Sequence, residues 1–326
     1  MPISSLKQFN IKRLRKTLPI YIVFKNKFSL EIFFIFLIIL GIPLNLYNNR
    51  FYDNNWTVGE WLISYAGGFV RRGLPGELIH FISNRYSFSP ILLVWFFSVG
   101  ALLSLAALLL YFCKNSFDKS LLLSQLIILA PISDDYLVRK DTLIVLLYGL
   151  CLLILKFLYK GRIGQISCIL SINLLSIVAI LSHESFGIWA LPSLIIILYL
   201  FERSHKKNRI KSLFLALFCL IPAIISFLLC WIFKGDINQS QTIHQSWQTL
   251  SHILPSKVSL QAFEPRGAIA AIGYTDQRVY SSLLISQFNL SVFWHPGMWL
   301  LTIFLTMRLF IGIEKTPNQK AKRFVL

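Results

Sequence analysis

Charge is scarce in this chain, and acid is scarcer. Of its 326 residues 14% are charged, with 14 Asp plus Glu against 32 Lys plus Arg. A soluble domain carries about 25% charged residues, so the composition excludes an ordinary solvated domain. Cysteine is sparse as well: Cys113, Cys151, Cys168, Cys219 and Cys230 lie in or beside apolar runs and form no CxxC pair. That argues against a disulfide framework and a thiolate metal centre. No Gly-rich dinucleotide fingerprint and no P-loop occurs, which argues against a nucleotide bound by either motif. Internal repeats and low-complexity linkers are missing too, leaving one integral membrane domain over 1–326.

Long apolar runs are what the chain has in quantity. Those at 30–47, 90–112, 137–159, 165–182, 184–201, 211–233 and 291–311 approach or exceed the roughly 20 residues a spanning helix needs. Residues 121–132 are short, but the parity of the charge pattern requires a crossing there. The expected fold class is all-α: a polytopic transmembrane helical bundle of about eight spans, both termini cytoplasmic, with amphipathic helices on its outer face.

Charge sets the orientation. Segments 1–29, 113–120, 156–164, 202–211 and 308–326 hold 22 Lys/Arg, accompanied by the acids Glu31, Asp118, Glu202 and Glu314. The other segments hold 10 Lys/Arg and 10 Asp/Glu. Basic loops mark the cytoplasmic side. This makes 1–29 a cytoplasmic N-terminus, 48–89 the first outer loop, 234–290 a long outer loop and 312–326 a cytoplasmic tail. The basic excess is dispersed, without a stripe or aromatic interleaving, so nucleic acid is not an expected partner. Topology and contact with anionic membrane lipids account for it. Residues 1–29 lead into an apolar run that lacks a small-residue cleavage site, so the first helix is expected to be retained. The expected location is a bacterial plasma or inner membrane, with the active face outside the cytoplasm.

The first outer loop is the richest in chemistry. Gly67, Gly68, Gly73 and Gly76 surround Arg71 and Arg72. Glycine allows close backbone approach, and successive N–H groups in such turns form anion nests. Two guanidiniums beside a nest suit a phosphate. A headgroup anchor, or a turn with ion pairs to Glu60 and Glu77, is the alternative. Asp53 and Glu60 are the carboxylates just outside the first span. Trp56, Trp61 and Tyr65 stand with them, as an interfacial belt or as platforms for sugar rings.

Three further features share that face. In Ser133-Asp134-Asp135-Tyr136-Leu137-Val138-Arg139-Lys140-Asp141, Asp134 or Asp135 suits the cap of a helix starting near Tyr136. A divalent cation on those two acids is the costlier reading, and no other cofactor is expected. Arg139, Lys140 and Asp141 then enter the span, with Arg139 one turn from Asp135 and the cation pair a second candidate anion site. His183-Glu184 lies at an outer hairpin, as a polar turn or as a pair lining the same cavity. In the 234–290 loop, Ile243, Trp247, Leu250 and Leu254 recur at helical spacing, which predicts an amphipathic helix lying on the membrane surface. With Trp247, Glu264 and Arg266, that loop reads as a lid or acceptor-binding element.

These parts fit one reaction class. A donor used on the outer face, without a nucleotide site, is lipid-borne. A polyprenyl-phosphate sugar carries its own anionic leaving group. Cations stabilise the developing charge, and one carboxylate takes the acceptor proton. The layout resembles the membrane glycosyltransferases of the C-type fold: an acidic first outer loop, an Arg-x-Asp-like element at Arg139-Lys140-Asp141, and a long outer loop before the last span. The resemblance implies a catalytic base in the first outer loop, Asp53 with Glu60 as its substitute. From the residues themselves, Arg71, Arg72, Arg139, Lys140, Asp141, His183 and Glu184 are the candidates around the phosphate. The expected function is inverting sugar transfer from a polyprenyl-phosphate carrier to an acceptor glycan or lipid. A surface-polysaccharide polymerase or ligase, a transporter or flippase of a lipid-linked or anionic solute, and a non-catalytic assembly subunit are the competing expectations.

Overall fold

A computed structural model of the protein describes residues 56–112, 138–205, 209–253 and 263–274, and every regular element among them is helical. The chain passes through α1 (Thr57–Trp61), α2 (Gly73–Tyr86), α3 (Pro90–Phe112), α4 (Asp141–Tyr159), α5 (Gln165–Ser182) and α6 (Ser185–His205). It continues through α7 (Arg209–Cys219), α8 (Ile221–Ile232), α9 (Ile237–Gln248) and α10 (Gly267–Ala271). Helices α3 to α6 are each long and apolar enough to cross a membrane, and the bent pair α7–α8 adds a fifth crossing if taken as one span. The runs at 30–47, 121–132 and 291–311 and both termini lie outside the described residues.

Polar contacts fix the direction of each span. Lys140, just before α4, reaches the carbonyl of Ser182 at the end of α5. Gln165, at the start of α5, donates to Glu202 near the end of α6 at 3.1 Å. The carbonyl of Phe233, just after α8, accepts from the Arg71 amide at 3.1 Å. The starts of α4 and α6 and the ends of α5 and α8 therefore gather at one end of the bundle, together with the loop before α2. Helix α5 is central and packs on α4, α6, α8 and α2. Glycine lets helices close up: a Cβ on Gly187 would fall 2.0 Å from the Phe227 ring. Small residues serve this purpose where packing, not water, drives association. Phe96, Ile166, Leu170, Leu174, Phe214 and Phe218 are exposed on the outside of the bundle, as a lipid-facing surface requires.

Two spans differ from expectation. The run at 137–159 becomes helical only at Asp141. Arg139 and Lys140 precede the helix rather than entering it, and the acidic Asp141 occupies the first turn, where the helix dipole favours it. The run at 211–233 is two helices meeting at 63°. Pro222 lacks an N–H, and its ring fills the space of the carbonyl four residues back. At the break the Cys219 carbonyl accepts from Asn173 Nδ2 at 2.6 Å, so a polar side chain inside the bundle satisfies the interrupted ladder.

Residues 56–89, the described part of the expected first outer loop, are largely helical. They hold α1 and α2, with Pro75 tolerated in the first turn of α2. Gly76 sits on the loop behind it, where a Cβ would lie 2.0 Å from the Ile63 carbonyl oxygen. The amphipathic helix expected in the long outer loop is α9, and Ile243, Trp247 and Leu250 are buried as its stripe demands. Leu254 lies outside the described residues. The stripe faces protein rather than a membrane surface. Trp247 Nε1 donates to Leu62 O at 2.8 Å, Gln239 Nε2 to Gly67 O at 3.2 Å, and Ser240 Oγ to Ile269 O at 2.7 Å. Satisfying these carbonyls with protein donors ties α9 to the loop before α2 and to α10. Asp236 caps it, accepting from the Gln239 amide at 2.8 Å.

Candidate functional site

The gathered end of the bundle holds a buried network of charges. Arg72 is its hub. Its Nε and Nη2 donate to the two carboxylate oxygens of Glu184 at 2.8 and 2.6 Å, and its Nη1 donates to Glu60 at 2.9 Å. This is the bidentate geometry a planar guanidinium favours. Arg71 Nη1 lies 3.4 Å from Glu184. His183 Nε2 lies 3.1 Å from the same Glu60 oxygen that Arg72 holds. Lys140 is wholly buried, and its ammonium nitrogen donates to the carbonyls of Arg72 at 3.0 Å and Ser182 at 3.3 Å. Arg139 Nε lies 3.1 Å from Asp141 Oδ2. Four cations thus surround three carboxylates and one imidazole.

Local structure dictates these positions. Arg72 sits between α1 and α2 with φ +67°, the left-handed region that a side chain rarely occupies. That turn aims its carbonyl at Lys140 while its guanidinium reaches Glu184. The cost of holding it there is met by the surrounding pairs. Glu184 and His183 occupy the hairpin between α5 and α6, with His183 extended after the last turn of α5. The Ser185 amide donates to His183 Nδ1 at 3.2 Å. With Nδ1 accepting, the ring proton belongs on Nε2 and points at Glu60.

The electrostatics follow from burial and pairing. Burial alone would raise the Glu60 carboxyl, but the His183 ring, Arg72 and Lys140 more than reverse this and hold it well below the usual carboxylate range. Glu184 is treated alike: burial raises it, and Arg72, His183 and Arg71 bring it far down. Burial also works against the Arg72 charge, yet Glu184 and Glu60 lift its pKa above the ordinary value. Lys140 goes the other way. Burial and the neighbouring Arg72 push it down to about 7, against the pull of Glu60 and Glu184. The network thus holds two fixed carboxylates, one fixed guanidinium and one amine near neutrality.

Of the residues singled out in the sequence, Glu60, Arg71, Arg72, Arg139, Lys140, Asp141, His183 and Glu184 come together here. Asp53, Asp134 and Asp135 lie outside the described residues, and with Asp135 goes its expected pairing with Arg139. Arg72 does not offer an open fork to a ligand, because Glu184 and Glu60 occupy its donors. The Arg71, Arg72 and Arg139 side chains are 31%, 28% and 26% exposed, so water reaches all three guanidiniums, and it is the three hydrogen bonds to Glu184 and Glu60 that set Arg72 apart. The lid residues separate. Trp247 is fully buried, with its ring edge against His80 at 4.9 Å, so it cannot touch an acceptor. Glu264 and Arg266 are exposed. Trp61 is also buried, donating through Nε1 to the Val138 carbonyl, and is neither belt nor sugar platform. Trp56 does remain 57% exposed. Among the described residues, no His, Cys, Asp and Glu group is arranged to hold a metal ion.

Two contributors, Gln239 and Val138, had no signal as site elements, and Tyr65, expected in a belt or as a sugar platform, braces the loop. Tyr65 donates its amide to Glu77 at 2.9 Å and stacks on Phe69 at 5.6 Å. Gln239 braces the glycine loop. Val138 supplies a carbonyl, which sequence never marks. Residues 30–261, which include every described member of the charge network, match the family model described as "Uncharacterised membrane protein Rv1490". No curated protein and no solved structure matches the chain.

Proposed function

The chain belongs to the Rv1490 family of uncharacterised membrane proteins, and we propose that it is a membrane glycosyltransferase that uses a polyprenyl-phosphate-linked sugar. The charge network at one end of an apolar bundle is the observation that supports this reading. Ionisable groups in such a place are costly and mark a functional site. Arg71 and Arg139 stand at its accessible edge as partners for a phosphate. Arg72, Glu60, Glu184 and His183 form the frame that positions them.

The reaction runs in one displacement. An acceptor hydroxyl oxygen attacks the anomeric carbon, and the carbon–oxygen bond to phosphate breaks on the opposite side, inverting the centre. The bonding pair leaves with the phosphate oxygen, where fixed cations stabilise the charge. The hydroxyl proton passes to a carboxylate. Asp53 is the better base of the two expected, because the Glu60 carboxylate is committed to Arg72 and His183. The acceptor is a glycan or lipid, and membrane lipids surround the site. The protein would have eight spans with both termini cytoplasmic, in a bacterial plasma or inner membrane with the network on the outer side. The positive-inside charge pattern supports that orientation. A polymerase or ligase joining lipid-linked chains uses the same parts.

One feature favours a different class. The α7–α8 pair is a broken crossing, and transporters build solute sites at interrupted helices. The charged groups, however, gather at the bundle end rather than at the break.

Mass spectrometry of lipid-linked saccharides and surface glycan in a deletion strain, complemented with wild type or Asp53→Asn, separates these readings. Accumulation of an unused polyprenyl-linked sugar, cleared by wild type and not by the variant, is the expected result. An unchanged lipid-linked pool would discard the transferase and leave transport.

A further inference from the structure

We propose that the end of the bundle opposite the charge network carries a binding groove for a membrane phospholipid with an anionic headgroup. The groove lies between α3 and α4 and has a volume of about 650 Å³. Leu108, Leu146, Leu150 and Leu153 form its walls, and Tyr111, Phe157 and Arg162 line its far end. Helices α3 and α4 run in the same direction, so Tyr111 and Phe157 are both near C-terminal ends. From Leu146 to Phe157 the helix rises roughly 16 Å, about half of a ~30 Å hydrocarbon core. The groove therefore has the depth of one leaflet, which is the reach of one acyl chain.

Charge decides the occupant. Lys156 Nζ lies 4.4 Å above the Tyr111 ring and 4.8 Å above the Phe112 ring. Arg162 stacks near Phe157, 5.9 Å from ring centre to guanidinium carbon. Lys160 and Arg162 are exposed, and Lys156 is partly so. Topology alone requires basic residues in this turn, but it does not require them at the mouth of an apolar groove. Arg162, which lines the groove, and Lys156, above the ring of the lining Tyr111, fit a phosphate where a leaflet meets water, and the aromatic rings hold Lys156 at the level of a headgroup. A zwitterionic headgroup offers the same phosphate but brings a quaternary ammonium against these cations, whereas an anionic headgroup brings the phosphate charge alone. The apolar body takes the chain and the basic rim takes the phosphodiester.

The test measures binding to the full-length protein in detergent, by native mass spectrometry, with phosphatidylglycerol, chain-matched phosphatidylcholine and a polyprenyl phosphate as probes. Phosphatidylglycerol should remain bound through delipidation when phosphatidylcholine does not. Arg162→Gln, at an exposed position, should weaken its retention roughly fivefold. Leu150→Trp, which fills the groove, should abolish retention of both phospholipids, with thermal unfolding reported alongside to show that the variant is folded. If Leu150→Trp fails to fold, Arg162→Gln with the headgroup comparison carries the test. Equal retention of the two phospholipids, unchanged binding by Arg162→Gln, or displacement of phosphatidylglycerol by equimolar polyprenyl phosphate would each overturn the assignment.

Discussion

Arg72 and Glu184, 112 positions apart in sequence, meet through two hydrogen bonds of 2.8 and 2.6 Å. That fork joins the loop before α2 to the hairpin between α5 and α6. Lysine cannot reproduce it, because an ammonium lacks the planar pair of donors. Removing one partner of a buried pair costs about 3–5 kcal/mol. The Arg72 side chain is 28% exposed, so water screens part of this, and about 2 kcal/mol is expected for Arg72→Lys. Thermal unfolding of Arg72→Lys, Glu184→Gln and the double variant measures it. The two losses should be strongly non-additive; additive losses would remove Arg72 from its role as hub.

Acid should undo the same frame. Glu60 and Glu184 titrate in the folded protein well below the ordinary carboxyl value of 4.5. The folded state then binds fewer protons than the unfolded chain in acid. Their stabilisation is complete above that ordinary value and falls away as pH drops toward the folded-state values. Glu60→Gln should flatten this acid limb in a pH series of unfolding temperatures. An unaltered limb would mean that other carboxylates set it.

Lys140 predicts a slope on the alkaline side. Its folded-state value is about 7 against an ordinary 10.5. Between the two, the unfolded chain binds a proton that the folded chain does not, so this group makes stability rise with pH across that window. Below about 7 the cost of the buried charge is constant. Lys140→Met removes the slope, even though it also leaves the Arg72 and Ser182 carbonyls without their donor and lowers stability overall. Wild type and variant with parallel profiles between pH 7 and 10 would refute the assignment.

Hydropathy made the straight spans legible because polar residues bound them. Helix α5 covers 165–182, the range its apolar run implies, between Gly164 and His183. The bend in 211–233 escaped, since a hydropathy window averages over Pro222 and cannot anticipate that Asn173 caps the opened ladder. Indole orientation also escaped: Trp61 read as belt or platform and Trp247 as part of a membrane-surface stripe and lid, yet both turn inward to find backbone carbonyls. The site was visible as a set of polar residues misplaced in an apolar sequence. Its pairing was legible only in part: an ion pair to Glu60 was one reading of the turn, but the fork to Glu184, 112 positions away, was not. That fork depends on the hairpin docking beside α1.

Gly76 should be intolerant of a single methyl. Its Cβ would stand 2.0 Å from the Ile63 carbonyl oxygen and 2.5 Å from its carbon, and backbone cannot swing aside as a side chain does. Overpacking of this kind costs about 1–3 kcal/mol. Because α2 begins three residues before Gly76, its displacement carries Arg72 with it. Gly76→Ala is expected to weaken the Arg72–Glu184 coupling in a double-mutant cycle as well as lowering the unfolding temperature. Retained coupling would show that the start of α2 moves independently of its hub.

Asn173 and Pro222 offer the sharpest test of the broken crossing. Asn173 is 7% exposed and donates to the carbonyls of Ile169 at 2.9 Å and Cys219 at 2.6 Å. Asn173→Leu leaves the Cys219 carbonyl buried and unpaired, at a cost of about 1–3 kcal/mol. Pro222→Ala restores the missing N–H and favours a continuous helix through 211–233. If the bend exists to accommodate that proline, Pro222→Ala should recover much of the stability lost in Asn173→Leu, since a continued helix turns the Ala223 N–H onto the Cys219 carbonyl. If instead packing of α8 on α5 imposes the bend, Pro222→Ala changes little and the two substitutions add. Unfolding temperatures of both single variants and the double variant distinguish the outcomes. The first result would mean that the bend is set locally by sequence, and the second that it is a property of the bundle.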